Sequence, residues 1–85
     1  MKSFDYTIKD ELGIHARPAG LLAKAAKMLG SEITLTLGEK TVNAEKLIAV
    51  MGMGIKCGDR ITVSAKGGDE NAAIEAMKKF FGENL

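Results

Sequence analysis

The sequence predicts an α+β fold, a sheet containing antiparallel strands with helices on one face. Three observations predict it. Short segments alternate apolar and polar residues, longer segments repeat apolar residues at helical spacing, and the two kinds interleave in the order β-α-β-β-α-β-α. The 85 residues, 46% of them apolar, suffice for one small domain spanning 1–85, with no repeats, linkers or low-complexity stretches.

In the first strand Phe4, Tyr6 and Ile8 alternate with Asp5, Thr7 and Lys9, as expected of a half-buried strand. A loop follows over Asp10 to Gly13. From about Ala16 the period changes: Leu22, Ala25, Ala26 and Leu29 fall on one stripe of a helix, with Pro18 in its first turn and Gly30 as its C-cap. Ile33, Leu35 and Leu37 alternate with Thr34 and Thr36 in the second strand. Gly38-Glu39 fits a two-residue type II′ turn into a third strand, Lys40 to Asn43. The apolar run Leu47 to Met53 is too short for periodicity to decide, but Gly52, Gly54 and Gly58 favour a short helix and then a loop. Ile61, Val63 and Ala65 mark the fourth strand. Gly67-Gly68 breaks it, Asp69 is placed to cap the last helix, and Ala73, Ile74, Met77, Phe80 and Phe81 form that helix's apolar face.

Composition excludes several function classes. One cysteine, Cys57, permits no internal disulfide, and one cysteine with one histidine offers no metal-ligand spacing, so neither a metal nor a cofactor is expected. Such usage fits a reducing, cytoplasmic compartment. No secretory signal or membrane-length apolar run is present. Twelve Lys and Arg against eleven Asp and Glu leave a net charge of +1, without the basic excess typical of nucleic-acid binders. Chemistry in so small a domain belongs at the surface. His15 has no Ser, Cys or carboxylate partner in a triad pattern, which disfavours a hydrolase.

The informative stretch is Gly13-Ile14-His15-Ala16-Arg17-Pro18-Ala19-Gly20. It sets the only histidine immediately before a helix start, where unpaired backbone N–H groups and the positive end of the helix dipole favour an anion. Arg17 adds a permanent cation whose planar fork suits phosphate oxygens. These neighbours favour a neutral, nucleophilic ring and then attract a phosphoryl group once it is attached. Residue chemistry alone leaves two readings open, a loop histidine bonded to the backbone and a reversible phosphoryl acceptor.

Gly13 to Ala19 resembles the signature of HPr, the histidine phosphocarrier family of the phosphoenolpyruvate-dependent sugar phosphotransferase system. The resemblance runs the full length, through Lys40-Thr41-Val42-Asn43, Val50-Met51-Gly52-Met53-Gly54-Ile55, Gly58-Asp59 and Gly68-Asp69-Glu70-Asn71-Ala72. It implies an open-faced β-sandwich, a four-stranded antiparallel sheet with three helices on one face. It implies a carrier rather than an enzyme. His15 would be phosphorylated on Nδ1 by phospho-enzyme I and would pass the group to enzyme IIA domains. Arg17 and the backbone N–H groups of Ala16 and Arg17 would hold the phosphoryl oxygens. A chain that is monomeric by default is expected, and a paralogue serving a specialised phosphorelay or regulatory interaction is the alternative.

On the helical wheel Arg17, Gly20, Leu21, Lys24 and Met28 make a second stripe, which the resemblance turns into a partner surface together with Leu47, Ile48 and Met51. Without it, those three apolar residues read equally well as core. Gly20 would admit a partner close to the phosphoryl site, and Lys24 and Lys27 would steer acidic surfaces. Two positions depart from the family pattern. Lys46 stands where many relatives carry a regulatory serine, so no kinase switch is expected there. Leu12 replaces a usual small polar residue and leaves open what supports the loop before His15. Cys57 reads as a loop residue, and Met51, Met53 and Met77 as packing or contact residues.

Overall fold

The computed structural model describes residues Met1–Leu85. The expected element order holds: β1 (Lys2–Thr7), α1 (Ala16–Lys27), β2 (Glu32–Leu37), β3 (Lys40–Asn43), α2 (Leu47–Gly52), β4 (Arg60–Lys66) and α3 (Glu70–Asn84). The strands form one antiparallel sheet in the order β1-β4-β2-β3. Alternation within each strand sends Ile33, Leu35, Ile61, Val63 and Ala65 to the helix-covered face, where all five are buried. The opposite face stays open and polar. There Thr36 and Thr41 share a hydroxyl contact of 2.9 Å, and the Thr62 hydroxyl donates to Asp5 Oδ1 at 2.7 Å.

Phe81 of α3 is fully buried at the centre of an aromatic cluster, edge-on to Phe4, Tyr6 and Phe80 with centroids 6.3, 5.4 and 5.8 Å away. The Tyr6 hydroxyl donates to the Phe81 carbonyl at 3.0 Å, which pins α3 across β1. Asp69 caps α3 as expected, its carboxylate accepting the Ala72 N–H at 3.0 Å. The β2–β3 turn also follows the expectation, with Leu37 opposite Lys40, Gly38 at φ +61° and Glu39 at negative φ.

Two boundaries differ. β1 stops at Thr7, one residue short of the expected Ile8, whose N–H bonds Asp59 O at 2.9 Å outside the ladder. Helix α1 ends at Lys27 with Met28 as its cap, not at Gly30, and Gly30 does not take the left-handed conformation. The cause lies in the last turn, where the Met28 and Leu29 N–H groups reach back only three residues, to Ala25 and Ala26, at 3.2 Å each. That tightening satisfies the end carbonyls without a glycine. The chain then runs past the β4–α3 corner, where the buried Ser31 hydroxyl donates to the Gly67 carbonyl at 2.5 Å.

Candidate functional site

His15 is the N-cap of α1. Its backbone is extended, its carbonyl accepts the Ala19 N–H at 2.9 Å, and its imidazole makes no capping bond. The ring is therefore free for other work. The N–H groups of Ala16 and Arg17 have no acceptor within the chain, and Pro18 has no N–H to offer. Two donors thus sit beside the ring at the positive end of a 12-residue helix.

The approach to His15 is rigid. Gly13 adopts φ +67°, and a Cβ there would collide with the Ile55 carbonyl oxygen and the Lys56 backbone. Only glycine fits. The Gly13 N–H bonds Asp10 O at 2.9 Å, and the Ile14 N–H bonds Ile55 O at 3.1 Å, while Ile14 itself is buried in the core. His15, with its side chain 38% exposed, lines a shallow concavity with Arg17, Pro18 and Leu21 from α1 and Glu83 and Asn84 from the far end of α3.

Asp10, in the loop before His15, belongs to this concavity too. Its Oδ1 accepts the Leu12 N–H at 2.9 Å and lies 4.0 Å from His15 Nε2. The rim is therefore mixed in charge, not purely cationic as the sequence implied. Asp10 is folded back toward the ring by its own turn, and its N–H, with that of Lys9, is anchored on the main-chain oxygen of Leu85 at 2.9 and 2.7 Å. The Asp10-x-Leu12 spacing was a readable turn signal. Glu83 and Asn84 arrive from almost seventy residues away and carried no local signal.

A second groove runs between α1 and α2. Arg17, Gly20, Leu21, Lys24 and Lys27 line it from α1, joined by Glu45 and Leu47. Leu21 and Leu47 are exposed at 42% and 37%; Ile48, at 81%, and Met51 are exposed on α2 beyond the groove. Five of the seven residues of the expected partner surface, Gly20, Leu21, Lys24, Lys27 and Leu47, thus line this groove with Arg17, Ile48 and Met51 lie outside it, and none of the seven is core. A Cβ on Gly20 would meet nothing within 4 Å, so the fold does not demand a glycine there. Lys46 stands before α2 as its N-cap without a side-chain bond. Cys57 is exposed, its Sγ 3.7 Å from the Lys9 carbonyl. No three His, Cys, Asp or Glu side chains gather as a metal site, and no helix is long and apolar enough to cross a membrane.

Comparison with known proteins places these features in a family. A family model described as PTS-HPr, PTS HPr component phosphorylation site, matches residues 2–83. The chain is 44% identical over 79 residues to the phosphocarrier protein HPr of Mycoplasma capricolum subsp. capricolum, covering 93% of this chain and 89% of that protein. A solved histidine-containing phosphocarrier protein of Mycoplasma superposes with a TM-score of 0.92 at 41% identity, covering 96% and 93% of the two chains. The Bacillus subtilis catabolite-repression protein Crh, described as a dimer with a swapped domain, superposes at 0.77 with 29% identity over 94% and 92%.

Proposed function

The chain belongs to the HPr family of phosphocarrier proteins of the sugar phosphotransferase system, and on that premise we propose that His15 is its phosphoryl acceptor. HPr proteins are carriers rather than enzymes, so the chemistry asked of this chain is acceptance and release. The observation that carries the reading is the free, half-exposed imidazole beside the two unpaired N–H groups of Ala16 and Arg17 at the start of α1.

In the forward step the Nδ1 lone pair forms an N–P bond as the bond from phosphorus to the donor breaks, its electron pair returning to the donor, phospho-enzyme I. The phosphoryl oxygens then meet the Ala16 and Arg17 N–H groups, the helix dipole and the Arg17 guanidinium. The same bond breaks in reverse when an enzyme IIA domain attacks. Because both exchanges occur at an open surface, partner active sites must supply the enclosed surroundings. The groove between α1 and α2 suits that docking, with Leu21, Leu47, Ile48 and Met51 as apolar contacts and Lys24 and Lys27 as steering charges. Gly20 leaves room beside the site, which explains a glycine that costs a helix interior about 1 kcal/mol against alanine.

We assign the protein to the cytoplasm and take it to work as a monomer. Lys46 offers no hydroxyl, so no kinase switch operates at that position. A specialised phosphorelay would use the same acceptor, and nothing in the site favours it over the general carrier. The test is incubation with enzyme I and phosphoenolpyruvate, followed by intact mass. Wild type is expected to take one acid-labile phosphate per chain and His15→Ala none. Equal labelling of both would refute the acceptor assignment.

A further inference from the structure

We propose that Asp10 is a positioning residue for phosphoryl transfer, its carboxylate holding the His15 ring proton on Nε2 so that Nδ1 presents the lone pair. The inference deepens the acceptor assignment and rests on it. Three observations converge on Asp10. Its Oδ1 is 4.0 Å from Nε2, and no other carboxylate forms an ion contact with the ring. That distance exceeds a hydrogen bond, so the effect is one of charge and dipole on the N–H. The oxygen is also fixed, because it accepts the Leu12 N–H at 2.9 Å, while the Asp10 N–H is bonded to Leu85 O at 2.9 Å and its carbonyl to the Gly13 N–H at 2.9 Å. Finally, the Asp10 side chain is only 31% exposed, which weakens solvent screening of its charge.

This resolves the departure at position 12. With leucine there, 73% exposed and lacking any polar group, the side chain cannot support the loop. Asp10 does so instead, from two residues earlier, and the atom that closes the turn is the atom that faces the ring.

The consequence for transfer follows from electron bookkeeping. As Nδ1 gives its lone pair to phosphorus, the ring keeps its Nε2 proton and gains positive charge. A fixed carboxylate on the Nε2 side offsets that charge, while the donors at Ala16 and Arg17 meet the phosphoryl oxygens on the other. An acidic group orienting an imidazole and stabilising its cation is a recurrent arrangement in catalytic sites. Arg17 and Glu83 also line the concavity, and Glu83 forms no ion contact with the ring.

Asp10→Asn separates the two roles. The amide oxygen still accepts the Leu12 N–H, so the loop persists, but the charge is gone. The direct readout is the ratio of the two neutral ring tautomers of His15, measured by nitrogen NMR on the unphosphorylated full chain. We expect the share of Nε2–H tautomer to fall by about two- to fivefold relative to Nδ1–H, and the transfer rate from enzyme I to fall by a similar factor, the range set by a partly exposed charge interaction. Glu83→Gln should leave the ratio unchanged. An unaltered ratio in Asp10→Asn with the Leu12 amide still protected from exchange overturns the inference, as does an equal shift in Glu83→Gln. Should wild type accept no phosphate at all, the acceptor assignment fails whatever the tautomer ratio, so the two failures are told apart.

Discussion

Arg17 concentrates the chemistry of the site in a single side chain. It is exposed, it lies off the buried Leu22–Ala26 stripe, and it borders both the His15 concavity and the α1–α2 groove. On the proposed acceptor role of His15, its loss takes a cation away from the phosphoryl group, and it does not touch the core. Arg17→Ala should therefore slow phosphoryl transfer by about tenfold or more, the worth of one charged hydrogen bond, while the melting temperature stays within about 4 °C of wild type. Stopped-flow transfer and a melting curve check both halves. Arg17 and His15 were legible in the sequence because their chemistry is unusual and adjacent. Asp10 was not, since its meaning depends on a turn that brings its carboxylate back onto the ring. Glu83 and Asn84 were illegible for another reason: only the packing of α3 across β1 brings them there.

Elements carry the site by fixing where α1 begins. The turn through Gly13 delivers His15 to the N-cap, and it has no tolerance for a side chain. Gly13→Ala must abandon φ +67° and move the Ile55–Lys56 backbone, at a cost of about 2 kcal/mol or more. Chemical denaturation should show that loss, and a variant as stable as wild type would mean the turn has another conformation. Strand periodicity, the Gly38 turn and the Asp69 cap were all readable, because each depends on residues within four positions of one another. The end of α1 was not legible: the stripe and Gly30 point to a C-cap at Gly30, but the helix stops at Lys27. Short-range bonds from Met28 and Leu29 closed the helix first, and nothing in a wheel projection distinguishes the two endings.

At the scale of the molecule, the sheet separates two tasks. One face buries the core against the helices, and the open face carries a polar network in which the Thr62 hydroxyl, and then Arg60, hold the Asp5 carboxyl below its usual value. Glu70, accepting the Gly67 N–H at 2.7 Å, is lowered likewise. A carboxyl lowered by folding stabilises the native state above its ordinary range, and that contribution disappears as the pH falls through the folded value. Thr62→Val should therefore melt below wild type at neutral pH, with the gap narrowing as acid protonates Asp5; a gap independent of pH would place the loss elsewhere. The order of the elements and the α+β class were legible from period together with the glycines that mark α2, whereas the strand order β1-β4-β2-β3 emerged only with the structure. All of this architecture serves one imidazole at the surface. Its role is tested most directly by phosphorus and nitrogen NMR of the chain after enzyme I and phosphoenolpyruvate have acted on it. The account predicts a single phosphoryl group bonded to Nδ1 of His15; a phosphoryl group on Nε2, on any other residue, or absent altogether would contradict it.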